Sequence, residues 1–117
     1  MTVIEAGRDG YHRRMEPPGP SRERPAWTFL TNHSHVIVAI SRNPELRQRE
    51  IADLVGITQG AVTRILHELE ADGIVTAERI GRRNRYQING DALLRHPLES
   101  GVTIGELLEL TNSAAEP

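Results

Sequence analysis

The chain has 117 residues, of which 38% are hydrophobic, 26% charged and 3% aromatic, which suits one small domain and excludes a large enzyme. It contains no cysteine, so disulfide scaffolds, cysteine zinc sites, iron-sulfur clusters and thiol nucleophiles are excluded together. All 14 basic residues are arginine, which removes the phosphate-loop lysine and the Schiff-base lysine. The net charge of -2 is unevenly spread, with seven arginines against seven acids over Glu45–Gly90 and one against five over Asp91–Pro117. No apolar run approaches the roughly 20 residues of a membrane-spanning helix, and the N-terminus lacks the apolar core of a secretory signal. A cytoplasmic protein without a membrane partner is therefore expected.

Residues 1–26 are polar and broken by Pro17, Pro18, Gly19, Pro20 and Pro25, the pattern of a disordered arm. From Trp27 the apolar residues become regular. His35–Ile40 has the β-branched content of a buried strand, yet Thr31 or Asn32 can cap a helix, Val36, Ile37 and Ile40 share a helical face, and Asn43-Pro44 supplies a stop; a helix is expected. Arg47–Val55 places Ile51, Leu54 and Val55 on one face and ends at Gly56, giving a second, amphipathic helix.

A third helix is predicted after Thr58, a good N-cap, with Ala61, Val62, Ile65, Leu66 and Leu69 in one stripe and Gly60, Thr63, Arg64 and His67 opposite. Gly73 ends it. Ile74–Ile80 and Arg85–Ile88 read as strands joined by the turn Gly81-Arg82-Arg83-Asn84, where Gly and Asn tolerate positive φ. Thr103-Ile104-Gly105-Glu106 has capping-box spacing and opens a short helix to about Leu110. Residues 112–117 are expected to fray.

The order Ala52, Gly56, Val62, Ile65 has a steric logic: a small residue where two helices cross, a left-handed residue at a tight turn, and two apolar residues that lock the second helix on the first. This spacing resembles the helix-turn-helix of DNA-binding proteins. With the helix before it and the hairpin after it, the region resembles the winged helix-turn-helix of small bacterial and archaeal regulators of the MarR and ArsR type. The resemblance implies a mainly α fold, a three-helix core with a small β-hairpin wing over residues 27–90, a recognition helix from Thr58 to Asp72, and residues 91–111 as a dimerisation element.

The residues point the same way. Arg64 offers a planar fork for a guanine edge, and Gln59, Gly60 and Thr63 lie in the first turns of a helix whose N-terminus attracts phosphate, with His67 one turn on. Arg82, Arg83, Asn84 and Arg85 form a basic wing tip suited to DNA backbone or minor groove. Against these roles stand a plain Arg64–Glu68 ion pair at i,i+4 and a solvated turn. The expected partners are double-stranded DNA and a second copy of the chain. No cofactor is implied, and an effector would have to bind at the dimer interface, in the tail or between helices.

Other chemistry finds little support. His67-Glu68 opens like H-E-x-x-H, but Ala71 stands where the second histidine belongs, and His33 and His35, two apart on a helix, point to different faces. No nucleophile elbow or phosphate loop is present, so no enzyme activity is expected. The alternative of another class is a winged-helix module for protein contacts, favoured by the neutral balance of Glu45–Gly90.

Overall fold

Helix α1 (Asn32–Arg42) begins where Thr31, in extended conformation, accepts the Ser34 N–H on its hydroxyl at 3.3 Å, satisfying one of the donors a helix start leaves open. Its β-branched run is helical because Val36, Ile37 and Ile40 all bury on one face; tertiary burial overrides the local strand preference. The computed structural model describes residues 25–115, so the arm expected over residues 1–26 lies outside the described residues apart from Pro25 and Ala26. Trp27 and Phe29 follow as an exposed edge-to-face ring pair at 5.0 Å and do not join the core, contrary to a packed domain starting at Trp27.

Helix α2 (Gln48–Val55) starts with the Arg47 N–H donating to Glu50 Oε1 at 2.7 Å. It ends at Gly56, whose φ of 88° is left-handed and whose N–H returns to the Ala52 carbonyl at 2.8 Å. Leu54, expected inside, is 61% exposed, and Ala52 is buried in its place. At 100° per residue the axis through Ile51, Ala52 and Val55 leaves Leu54 roughly a quarter-turn away. The small Ala52 belongs to the core cluster.

Helix α3 (Gln59–Ala71) is capped by the Thr58 hydroxyl, which accepts the Ala61 N–H at 3.0 Å. Val62, Ile65, Leu66 and Leu69 are buried, each contributing about 1.5–3 kcal/mol of apolar burial. Beyond Asp72 and the left-handed Gly73, the Ile74 N–H bonds the Leu69 carbonyl at 2.9 Å. The chain turns there into the hairpin.

Strands β1 (Val75–Ile80) and β2 (Arg83–Ile88) pair antiparallel, with Val75 opposite Ile88 and Ile80 opposite Arg83. The turn is therefore Gly81-Arg82 alone, and the four-residue turn read from sequence is corrected. Only Gly81 has positive φ (62°) among the hairpin residues, the Gly-X pattern of a two-residue hairpin turn. Arg83 and Asn84 belong to β2, where side chains alternate: Tyr86 is buried, while Arg83, Arg85 and Gln87 project from the other face. The Tyr86 N–H also bonds the Pro44 carbonyl at 2.9 Å, tying the hairpin edge to the loop between α1 and α2.

After β2 the chain makes a loop with a short 3-10 turn at Pro97–Glu99, closed by a bridge between Leu93 and Thr103. Helix α4 (Ile104–Ala115) opens with the predicted capping box: Glu106 N–H to Thr103 Oγ1 at 3.0 Å, and Thr103 N–H to Glu106 Oε1 at 2.8 Å. It continues past Leu110 through residues expected to fray. Arg42 at the end of α1 donates to Asn112 Oδ1 at 2.9 Å and to the Thr111 carbonyl at 3.0 Å, and Asn112 donates to Ser41 Oγ at 3.2 Å. These bonds hold the last turns. Ile104 is buried, and Leu94 and Leu108 pack on the same core as α1 to α3.

Candidate nucleic-acid interface

The exposed flank of α3 carries Gln59, Gly60, Arg64 and His67, opposite the buried stripe as the 3.6-residue period requires. Gly60 lies within the helix, and a Cβ there would meet only Thr58 Oγ1 at 4.0 Å, so the backbone is open on that side. Thr63 behaves differently from its neighbours. Its hydroxyl is half-buried, 2.6 Å from Gln48 Oε1 and 3.1 Å from the Gln59 carbonyl. It ties the start of α2 to α3, fixing how the two helices of the helix-turn-helix meet.

Arg64 is paired on its own helix: its Nη1 lies 3.3 Å from Glu68 Oε2. Glu68 is shared, because His33 Nε2 from α1 approaches its Oε1 at 2.7 Å. The His33 hydrogen bond, and after it the charge of Arg64, hold the Glu68 carboxyl below the usual carboxylate range. His35 turns to Asn32 Oδ1 at 3.2 Å, so the two histidines serve separate contacts, one within α1 and one to α3.

The wing is built from more than its predicted tip. Arg82 and Arg83 are exposed and Asn84 is half-buried. Arg85 is drawn back to Glu45 before α2, its Nη2 at 3.0 Å from Glu45 Oε2, a contact that braces the hairpin base. Arg79, to which no sequence pattern drew notice, donates to the Gly81 carbonyl at 3.0 Å and stiffens the turn.

Glu50 lies in a basic stretch that the sequence displays, Arg47-Gln48-Arg49-Glu50. The Glu50 carboxyl is held below the usual range first by the Arg47 backbone N–H, and additionally by the charges of Arg47, Arg83 and Arg49. The charge of Arg83 on β2 adds to this effect behind the local backbone bond. The alternation of β2 could have hinted at Arg83 facing away from the core. The exposed Arg82 and Arg83 give the wing the composition of a phosphate-contacting surface beside a helix-turn-helix.

A helix followed by a helix-turn-helix and an antiparallel hairpin defines the winged helix-turn-helix class. Residues 28–85, about half of the chain, match the model of the MarR family, a family of transcriptional regulators, and the domain they form is similar to that family's winged helix-turn-helix. The uncharacterized protein MJ1254 of Methanocaldococcus jannaschii is 33% identical over 67 residues, which cover 56% of this chain and 14% of that protein. Among solved structures, the MarR family transcriptional regulator SPO1453 from Silicibacter pomeroyi DSS-3 aligns with a TM-score of 0.49 at 18% identity, covering 97% of this chain and 67% of that one. Lactococcus lactis ZitR, wild type in complex with DNA, aligns with a TM-score of 0.47 at 15% identity over 96% of this chain and 82% of its own. The family model, with the order and register of the elements, carries the assignment.

Proposed function

We propose that this chain is a sequence-specific, DNA-binding transcriptional regulator that acts as a homodimer without enzymatic activity. The observation that carries the reading is a helix-turn-helix whose second helix leaves Gln59, Gly60, Arg64 and His67 exposed, followed by a hairpin whose Arg82 and Arg83 are exposed at its tip. In this reading α3 enters the major groove, where Arg64 takes a guanine edge and Gln59 and His67 contact bases or phosphates. Arg82 and Arg83 reach backbone or minor groove, with Arg85 and Asn84 shaping the wing that presents them and Thr63 setting the angle of α3. The local charge balance between Glu45 and Gly90 is neutral, but acids such as Glu45 and Glu68 are engaged in ion pairs with arginines.

Dimerisation is argued from apolar surface left uncovered. Leu93, Leu98, Val102 and Leu110 are exposed after the wing, whereas Leu94, Ile104 and Leu108 pack on their own core. A second copy covering the first set matches a patch to itself, the economical arrangement for a twofold dimer. It would place two α3 helices about one DNA turn, roughly 34–36 Å, apart and select a palindromic site.

The second reading, a module for protein contacts, is favoured by the exposed Trp27 and Phe29 rings and Leu54. Enrichment from a pool of randomised duplexes separates the two. The proposal expects wild-type protein to enrich one palindromic motif, and Arg64→Ala to lose roughly 1–3 kcal/mol on it while relaxing one base pair per half-site. Failure to enrich any sequence at low salt would leave the protein-contact reading.

A further inference from the structure

Glu68 is at first sight a liability. It is a carboxylate one turn beyond Arg64 on the helix proposed to read DNA, where it repels phosphate. Two contacts give it a role. Arg64 leans on it at 3.3 Å along the same helix, and His33 grips its other oxygen at 2.7 Å from α1. The second contact matters because α1 is anchored by Val36, Ile37 and Ile40, all buried, so the carboxylate is fixed to a part of the fold that does not travel with the arginine. Arg64 and Glu68 are both about half exposed, which leaves Arg64 free to exchange partners.

Resting on the DNA-reading role proposed above for α3, we propose that Glu68 is a specificity-determining residue, which holds Arg64 in a competing ion pair that a guanine edge displaces and a lone phosphate does not. To touch DNA, Arg64 must give up a charged partner. A guanine offers two parallel acceptors matched to the guanidinium fork and so replaces what is lost. A single phosphate oxygen on a wrong sequence replaces less, while Glu68, kept in place by His33, still repels the backbone. The pair therefore taxes non-specific binding more than specific binding, and discrimination grows from a repulsive element alongside the attractive one. His33 is a positioning residue in this scheme: it prevents the carboxylate from following the arginine into the groove.

The test uses the full chain and a double-mutant cycle. A preferred duplex is first selected with wild-type protein from a randomised pool, and the dissociation constants for that duplex and a scrambled one are then measured for wild type, Glu68→Gln, Arg64→Ala and the double variant. Glu68→Gln should lower the ratio of specific to scrambled affinity about threefold or more, chiefly by tightening the scrambled complex. In the Arg64→Ala background the same change should move both duplexes by one common factor, as removal of a negative charge alone would. A merely structural role would shift the melting temperature without moving the ratio. The inference is overturned if Glu68→Gln tightens both duplexes equally in the wild-type background, or if its effect on the ratio persists without Arg64. If wild-type protein selects no duplex, the DNA-reading proposal itself falls and this inference with it; selection without coupling removes only the role of Glu68.

Discussion

Gly56 is the residue on which the angle between α2 and α3 turns, and its replacement gives a graded test. Its φ of 88° and ψ of 33° are left-handed, and in that conformation both its own N–H and that of Ile57 reach the Ala52 carbonyl, at 2.8 and 3.1 Å. Alanine in this region carries about 1–2 kcal/mol of strain, offset by about 0.4–1 kcal/mol because the unfolded chain loses freedom, so Gly56→Ala should cost about 1 kcal/mol. For a domain of this size that lowers the melting temperature by about 4–8 °C. Gly56→Asn should cost less, since asparagine visits the left-handed region, and Gly56→Val should cost about 2 kcal/mol or more because a β-branched side chain is a genuine outlier there. Circular-dichroism melts with urea titrations of the four proteins provide the check. If Ala proves as stable as Gly, or Val no worse than Ala, the left-handed turn is not what constrains the helix-turn-helix.

Arg82→Ala with Arg83→Ala should weaken selected and scrambled duplexes alike and flatten the salt dependence by about one unit of slope per lost phosphate contact; titration at four salt concentrations would expose an unchanged slope and so reject the contact. Leu110→Asp, placed on an exposed leucine rather than on the core-packed Leu108, should yield a folded monomer in analytical ultracentrifugation, and a variant that stays dimeric would remove Leu110 from the proposed interface. Glu50, whose carboxyl is depressed chiefly by the Arg47 N–H, binds its proton more weakly folded than unfolded. Its contribution is thus complete above the ordinary carboxylate range and lost as pH falls through that range to the depressed value. The stability gap between wild type and Glu50→Gln in urea titrations should close toward acid, and a gap that widens there would contradict the assignment.

Features that act within one turn of chain are legible in the amino-acid sequence alone. Thr58 and Thr103 cap their helices, Gly56 and Gly73 end theirs, and the stripe from Val62 to Leu69 faces inward, because caps, left-handed turns and helical period depend on residues at most four or five positions apart. The exposed flank of α3 follows from the same period. The Arg64–Glu68 pair is likewise visible as an i,i+4 spacing, although the grip of His33 on the same carboxylate is not.

Tertiary structure decided what crosses between elements. His33 meets Glu68, Arg85 meets Glu45, and Arg42 meets Asn112 across 35, 40 and 70 positions of chain, distances at which no local pattern selects a partner. The last of these contacts carries α4 through a polar stretch whose composition favours fraying. The hairpin register, with its one left-handed Gly81, moved Arg83 from the turn onto β2. Val36 to Ile40 shows the same division: its local preference is ambiguous between strand and helix, and the burial of one helical face against the rest of the core resolves it.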